Sequence, residues 1–371
     1  MTNRERAMAI LHYQNVDRIP VVHFGYWGET LQKWVKQGHL KPEEVKGCGD
    51  GNAVDEALNR RIGFDFNWQN MRGGNNGLLP GFAPKVLEVL PDGFRKVMNG
   101  NGAISMVRDG AGSIPAEVDH LLKGRQEWDE LFKERLQFKP ERVNAAVFEA
   151  YRDPAGRENP IGLHCGSLFG NIRNYMGVTG LSYLYADDED TYTEIIDTVG
   201  ELNYQIVKAI LATGAKLDFG HFWEDICFKN GPLVSPSVFA EKVGPHYKRI
   251  TSLLLEHGLD IVSLDCDGLI DALVPIWLEN GVNTMFPIEV GTWHASIANW
   301  RKIYGRQVLG VGGMDKKVFA YDYAAVDAEI ERLRPLVDLG GFIPCMDHRI
   351  PPDAKFENVQ YYCECFRKTF G

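Results

Sequence analysis

The sequence predicts a (β/α)8 TIM barrel, read as one domain over 1–371, with an inserted β meander near residues 85–122. Three observations predict it. Short continuous apolar runs such as Ile261–Leu264 end in polar residues, the habit of strands buried on both faces in parallel sheets. Helical periodicity fills the intervals, most plainly over Asp187–Ala215, where Ile195, Ile196, Val199, Leu202, Ile206 and Ile210 recur at three- and four-residue steps. Eight strand candidates alternate with helical stretches, and that count favours a closed barrel over a doubly wound sheet.

In chain order, residues 3–14 read as a short helix before a turn at Asn15–Asp17. IPVVHFGYWG (19–28) is the first buried strand, with His23 inside it and Tyr26 and Trp27 at its end. The polar stretch 33–45 is partly helical, and RIGFDFNWQN (61–70) is a second strand or a loop entering the site. Asp-Gly and Asn-Gly turns between alternating runs mark the meander. After a charged stretch at 124–158, PIGLHCGS (160–167) is a strand ending in a polar turn, and LDFGHFWED (217–225) follows the long helix. Ser235 is placed to cap a helix over Ser237–His257 that leads to IVSLDCDG (261–268). Helices over Leu269–Asn280, Ile297–Tyr304 and Tyr323–Asp338 then precede TMFPIE, VLGVGGMD and GFIPCMD, and Phe356–Thr369 is the last helix.

A formal charge of −10 argues against a nucleic-acid groove or an anionic membrane surface. The N-terminus has no apolar core of signal-peptide length, and no run is long enough to span a membrane. Seven scattered cysteines suit reduced thiols, so a cytoplasmic enzyme is expected. No GxGxxG opens a helix, which leaves a dinucleotide site without support.

Polar residues at the carboxyl ends of barrel strands face the chemistry. Here those positions carry Asp265, Asp267, Glu289, Cys345 and His348 on the later strands, and His164, His221 and Glu224 on the earlier ones. Glu224 is an acid/base candidate, while helix capping is the alternative for every rim acid. His164 and His221 are placed to bind substrate, and His23, Tyr26, Trp27 and Trp68 to form an aromatic wall for a planar one. Gly310, Gly312 and Gly313 imply a close backbone approach, with ligand as one occupant.

The opening RERAMAILHYQNVDRIPV, the block HFWEDICFKNGPLVSP (221–236), LDCDG (264–268), PIEVG (287–291), LGVGGMD (309–315) and GGFIPCMDHRIPPD (340–353) resemble the uroporphyrinogen decarboxylase superfamily in order and spacing. The resemblance spans nearly the whole chain and implies a (β/α)8 barrel. Its members include the haem-pathway decarboxylase and methyltransferases serving a corrinoid protein, coenzyme M or folate. The decarboxylase carries an arginine-rich segment after its first strand, where this chain reads VVHFGYWGETLQKW. Coenzyme-M-type members carry His-x-Cys as zinc ligands where this chain has Asp265-Cys266-Asp267. The nearest resemblance is to the O-demethylating methyltransferases.

That resemblance implies methyl transfer from a small O-methyl substrate, a methoxylated aromatic above all, to cobalamin on a separate carrier protein. The alternative is uroporphyrinogen decarboxylation in porphyrin biosynthesis. Ether demethylation needs the leaving oxygen protonated or polarised by a metal. Asp265, Asp267, Glu289, Cys345 and His348 are therefore the expected zinc ligands, and Glu224, Asp267 and Glu289 the expected catalytic acids. The chain has no second βαβ domain and no Asp-x-His-x-x-Gly run of corrinoid carriers, so the carrier is expected to be another protein.

Overall fold

The structure is a computed structural model that describes residues 1–108 and 115–371. The strands in chain order are β1 (Val22–His23), β2 (Phe66–Asn67), β3 (Met71–Gly73), β4 (Lys85–Val89), β5 (Arg95–Met98), β6 (Ala103–Val107), β7 (Ala116–His120), β8 (Gly162–His164) and β9 (Phe219–Trp223). They continue with β10 (Cys227–Phe228), β11 (Gly231–Pro232), β12 (Val262–Asp265), β13 (Thr284–Phe286), β14 (Leu309–Met314) and β15 (Phe342–Met346). Nine of them form one parallel ladder in the order β2-β1-β15-β14-β13-β12-β9-β8-β3.

The two ends of that ladder are one stretch of chain. Between β2 and β3, Trp68 N–H donates to the His23 carbonyl at 3.0 Å, on the β1 side. Two residues later the Asn70 carbonyl accepts from Gly162 N–H at 3.0 Å, on the β8 side. Residues 66–73 are thus a single interrupted stave, the ring is closed, and the stave count returns to the eight that the sequence predicts.

The barrel interior is filled by Val22, Phe24, Phe66, Trp68, Phe219, Phe286, Val311 and Cys345, all buried. Ala7, Ile10 and Leu11 of the first helix (Asn3–Leu11) join that cluster, and the Ile10 carbonyl accepts from Gly341 N–H, ahead of β15. The amino ends of the strands are therefore plugged, and the opposite rim is left for chemistry.

The meander appears as the antiparallel sheet β4-β5-β6-β7. Residues 109–114 of the expected span lie outside the described residues. The sheet packs on a helix, Gly170–Asp187, that periodicity does not announce, because Gly177 breaks it with φ 75° and ψ 160°. The predicted long helix spans Glu189–Leu211, while Leu269–Asn280 shortens to a helix at Val274–Glu279. Ser235 precedes a helical segment without capping it through its side chain; its hydroxyl pairs with that of Ser237 at 2.9 Å. Among the described residues no helix is long and apolar enough to cross a membrane.

Candidate active site at the barrel mouth

The carboxyl ends of β1, β8, β9, β12 and β15 surround a cavity of about 300 Å³. Three aspartates reach it. Asp265, the last residue of β12, is 7% exposed and accepts from Gln69 Nε2 through Oδ2 at 2.7 Å. Burial, aided by the charge of Asp267, pushes its carboxyl well above the usual range. Asp267 faces His348, with Oδ2 3.3 Å from Nε2, and its buried Oδ1 has no hydrogen-bond partner. Asp225 sits at φ 49°, a backbone conformation rare for a residue other than glycine, with Arg173 Nη2 3.5 Å from its Oδ2. Burial raises its carboxyl too.

Two imidazoles face the acids from the neighbouring strands. His164 Nδ1 accepts from Gly166 N–H at 3.1 Å, and burial pushes the ring down to about 4. His221 Nδ1 lies 3.2 Å from Ser263 Oγ, and burial holds that ring well below its ordinary value. Aromatic walls come from Phe24, from Trp27, which stacks on His348 at 5.5 Å and 20°, and from Trp223. Arg349 alone among the described lining residues carries a fixed positive charge, and it grips Asp50 with both terminal nitrogens at 3.0 and 2.5 Å. Gly25, at φ +89°, makes room for this pair: a Cβ there would lie 2.4 Å from Arg349 Nη1.

Of the residues expected from sequence, Trp27, His164, His221, Asp265, Asp267 and His348 line this cavity together. The structure does not bring the others to it. His23 is turned outward, since Val22 and Phe24 take the inward positions of the pleat, and Tyr26 lies beyond Gly25, whose φ of +89° breaks that alternation. The His23 ring packs on Phe64 at 4.7 Å with Asp55 beside it, and Tyr26 joins the outer core. Trp68 lies deeper in the barrel interior, stacked on Phe219 at 4.3 Å.

Glu224 is wholly buried and points at the start of the helix Gly170–Asp187. Its oxygens accept from the backbone N–H groups of Leu168, Phe169 and Gly170 at 2.7–2.9 Å, from Ser167 Oγ at 3.0 Å, and from the Tyr247 hydroxyl. Glu289 accepts from Gly268 N–H at 2.8 Å and Thr292 Oγ1 at 2.5 Å, so it ties two rim loops. Cys345 is buried inside the barrel, and Cys266 Sγ turns away to accept from Ile226 N–H. Of the five expected zinc ligands, Asp265, Asp267 and His348 therefore share the cavity, and Glu289 and Cys345 do not line it. Among the described residues no three His, Cys, Asp or Glu side chains form a group able to hold a metal ion. The glycines of β14 are close to other parts of the chain, not to the cavity: a Cβ on Gly312 would lie 1.5 Å from the Pro287 carbonyl oxygen, and one on Gly310 or Gly313 would meet the side chains of Ile288 and Phe342.

Gln69, Trp223, Phe24 and Arg349 are not singled out by motif, although each flanks a residue that is. Strand alternation marks Phe24, and the run HFWED holds Trp223 and Asp225. No sequence signal foretells the 2.7 Å contact of Gln69 with Asp265, which joins strands nearly two hundred positions apart.

A family model described as Uroporphyrinogen decarboxylase (URO-D) matches residues 141–369. Comparison with curated protein sequences gives no match. Among solved structures the chain is similar to a methyltransferase from Methanosarcina mazei, with TM-score 0.62 and 16% identity over 99% of this chain and 98% of that one. It is also similar to a B12-independent methionine synthase from Shewanella sp. W3-18-1 in complex with selenomethionine, with TM-score 0.50 and 12% identity over 95% and 98%. At such identities the likeness is one of fold.

Proposed function

The chain belongs to the uroporphyrinogen decarboxylase (URO-D) family, and on that premise we propose that it moves a methyl group from a small O-methyl compound, a methoxylated aromatic above all, to a corrinoid held by a separate protein. The observation that carries the reading is Asp265: a buried carboxyl at the cavity wall, held above its usual range, with one oxygen taken by Gln69. Such a group keeps its proton to a higher pH than a free carboxylic acid and can give it up where charge develops.

When an ether loses its methyl, the C–O bond breaks, the electron pair stays on oxygen, and that oxygen needs a proton. Asp265 supplies it. The reduced corrinoid supplies the nucleophile that takes the methyl. Phe24 and Trp27 offer flat faces to an aromatic ring, and the cavity volume stands at the low end of the roughly 300–1,000 Å³ of small-molecule clefts. No step is assigned to a metal, because Glu289 and Cys345 do not line the cavity and, among the described residues, no three His, Cys, Asp or Glu side chains form a group able to hold one. A methyltransferase of the same fold, the Methanosarcina mazei protein, supports the assignment to the extent that the fold hosts methyl transfer.

The reaction for which the family is named makes the opposite demand. A tetrapyrrole with eight carboxylates requires converging cations, whereas this cavity offers three aspartates and one arginine already bound to Asp50. The test is to incubate the purified chain with a reduced corrinoid protein and a panel of methoxyarenes. Methylation of the carrier, followed by its absorbance change, is the expected result. No methylation across the panel, with turnover of uroporphyrinogen, would overturn it.

A further inference from the structure

Resting on that reading, we infer that His164 and His221 act as paired Nε2–H donors that hold the ether oxygen and stabilise the oxyanion left as the methyl departs. The geometry begins in the ladder. His164 ends β8, His221 lies in β9, and the two are register partners in a parallel pair, so both side chains leave the same face. Their ring centroids are 6.3 Å apart, and both line the cavity.

The tautomers follow from the partners on the far side of each ring. At His164 the Gly166 N–H donates to Nδ1, so the ring proton is on Nε2. At His221 the partner is Ser263 Oγ, which also receives the Trp68 indole N–H at 3.3 Å. An indole nitrogen only donates. The serine proton must then find an acceptor, and among the described residues that acceptor is His221 Nδ1. His221 is thereby also an Nε2–H tautomer, with Trp68 and Ser263 as positioning residues.

Neither Nε2 has a hydrogen-bond partner among the described residues, and His221 is 1% exposed, so an N–H aimed into the cavity awaits an acceptor. Burial keeps both rings uncharged. An uncharged donor is not drawn into an ion pair by Asp225, Asp265 or Asp267, and it has no free lone pair with which to take their protons. The pair can only donate. As the C–O bond breaks, the electron pair settles on the oxygen that the two N–H groups hold, and the Asp265 proton then neutralises it.

Three measurements on the full chain test this. Nitrogen-15 NMR at neutral pH is expected to show both imidazoles as uncharged Nε2–H tautomers; an Nδ1–H form or an imidazolium at either site overturns the inference. The probe 4-nitrophenol, whose oxygen would take the place of the ether oxygen, is expected to bind with affinity reduced about tenfold to a hundredfold in His164→Phe and in His221→Phe. Equal binding by all three proteins overturns it, and His164→Gln, which keeps an N–H, is expected to retain most of the affinity. In methyl transfer each Phe variant is expected to lose roughly 10²–10³ in rate, and to lose more with phenols that are poorer leaving groups. Unchanged rates with every leaving group overturn the donor pair and leave the methyl-transfer reading standing. The NMR and nitrophenol readouts need no methyl acceptor, so they support the pair even where methyl transfer itself fails.

Discussion

Two sets of carboxylates stand on the same rim and do different things. Asp225, Asp265 and Asp267 face the cavity, and each leaves an oxygen free of backbone donors. Glu224, Glu289 and Asp347 face the loops, and backbone N–H groups occupy them: three on Glu224, one on Glu289, and two on Asp347 from Gly291 and Lys316. Strand-end position does not separate the sets. A displaced pKa does not either, because burial raises both Asp265 and Glu224. Hydrogen-bond satisfaction does: an acid whose oxygens are spent on the backbone holds the scaffold, and one left unspent is available to substrate.

The sharpest way to break this contrast is Asp265→Asn. The volume is kept and the proton is lost, so methyl transfer is expected to fall by about 10²–10⁴ while thermal unfolding stays near that of the parent. The same acid predicts the pH profile. Its folded pKa is raised, so the proton is present below that value, and the rate declines as pH rises through it. A profile that is flat or rises with pH would remove Asp265 as the donor. Glu224→Ala should do the reverse of Asp265→Asn. Buried donors on Leu168, Phe169, Gly170 and Tyr247 lose their acceptor, and stability is expected to drop by about 3 kcal/mol, read from the urea midpoint.

A smaller effect is expected on the acid side. His164 is depressed from 6.5 to about 4 in the folded chain, so the unfolded chain binds the extra proton first. Stability is present above the unfolded value and is lost as pH falls through about 4. His164→Gln should flatten that slope in denaturation curves taken from pH 7 downward. Smallest of all is Trp27→Ala, which removes the stack on His348 and one wall for the substrate ring. KM is expected to rise by about threefold to tenfold, the equivalent of roughly 0.5–1.5 kcal/mol of ring packing, with kcat nearly unchanged. A large fall in kcat instead would mean that Trp27 positions His348 for chemistry.

The strands were legible because strands buried on both faces must be short and apolar, as in Ile261–Leu264, and the ring because eight such runs alternate with helices. The helix Gly170–Asp187 was not, since a glycine break scrambles its apolar spacing. At the site, residue type and strand end located Asp265, Asp267, His164, His221 and His348, but not which way a neighbour points. His23 lies on the first strand segment just as Phe24 does, yet the pleat turns it outward, and the positive φ of Gly25 precedes the turn of Tyr26 to the outer core. Glu224 and Asp225 are adjacent in sequence, yet the positive φ of Asp225 sends the two side chains to different duties. Such facts belong to tertiary hydrogen bonding, which composition and spacing do not encode.

The interrupted stave at residues 66–73 links architecture to the order of assembly. It pairs with β1 on one side and β8 on the other, and from it Gln69 reaches Asp265 while Trp68 reaches Ser263. These contacts cross long stretches of chain, the kind that form late because loop closure opposes them. A chain that has built its helices but not sewn this seam has an unpaired Asp265 and an unaligned His221. On refolding, catalytic competence is therefore expected to return after the helical circular dichroism signal, and simultaneous recovery would contradict that order. The seam makes catalysis a report on completed folding: an open barrel is chemically silent.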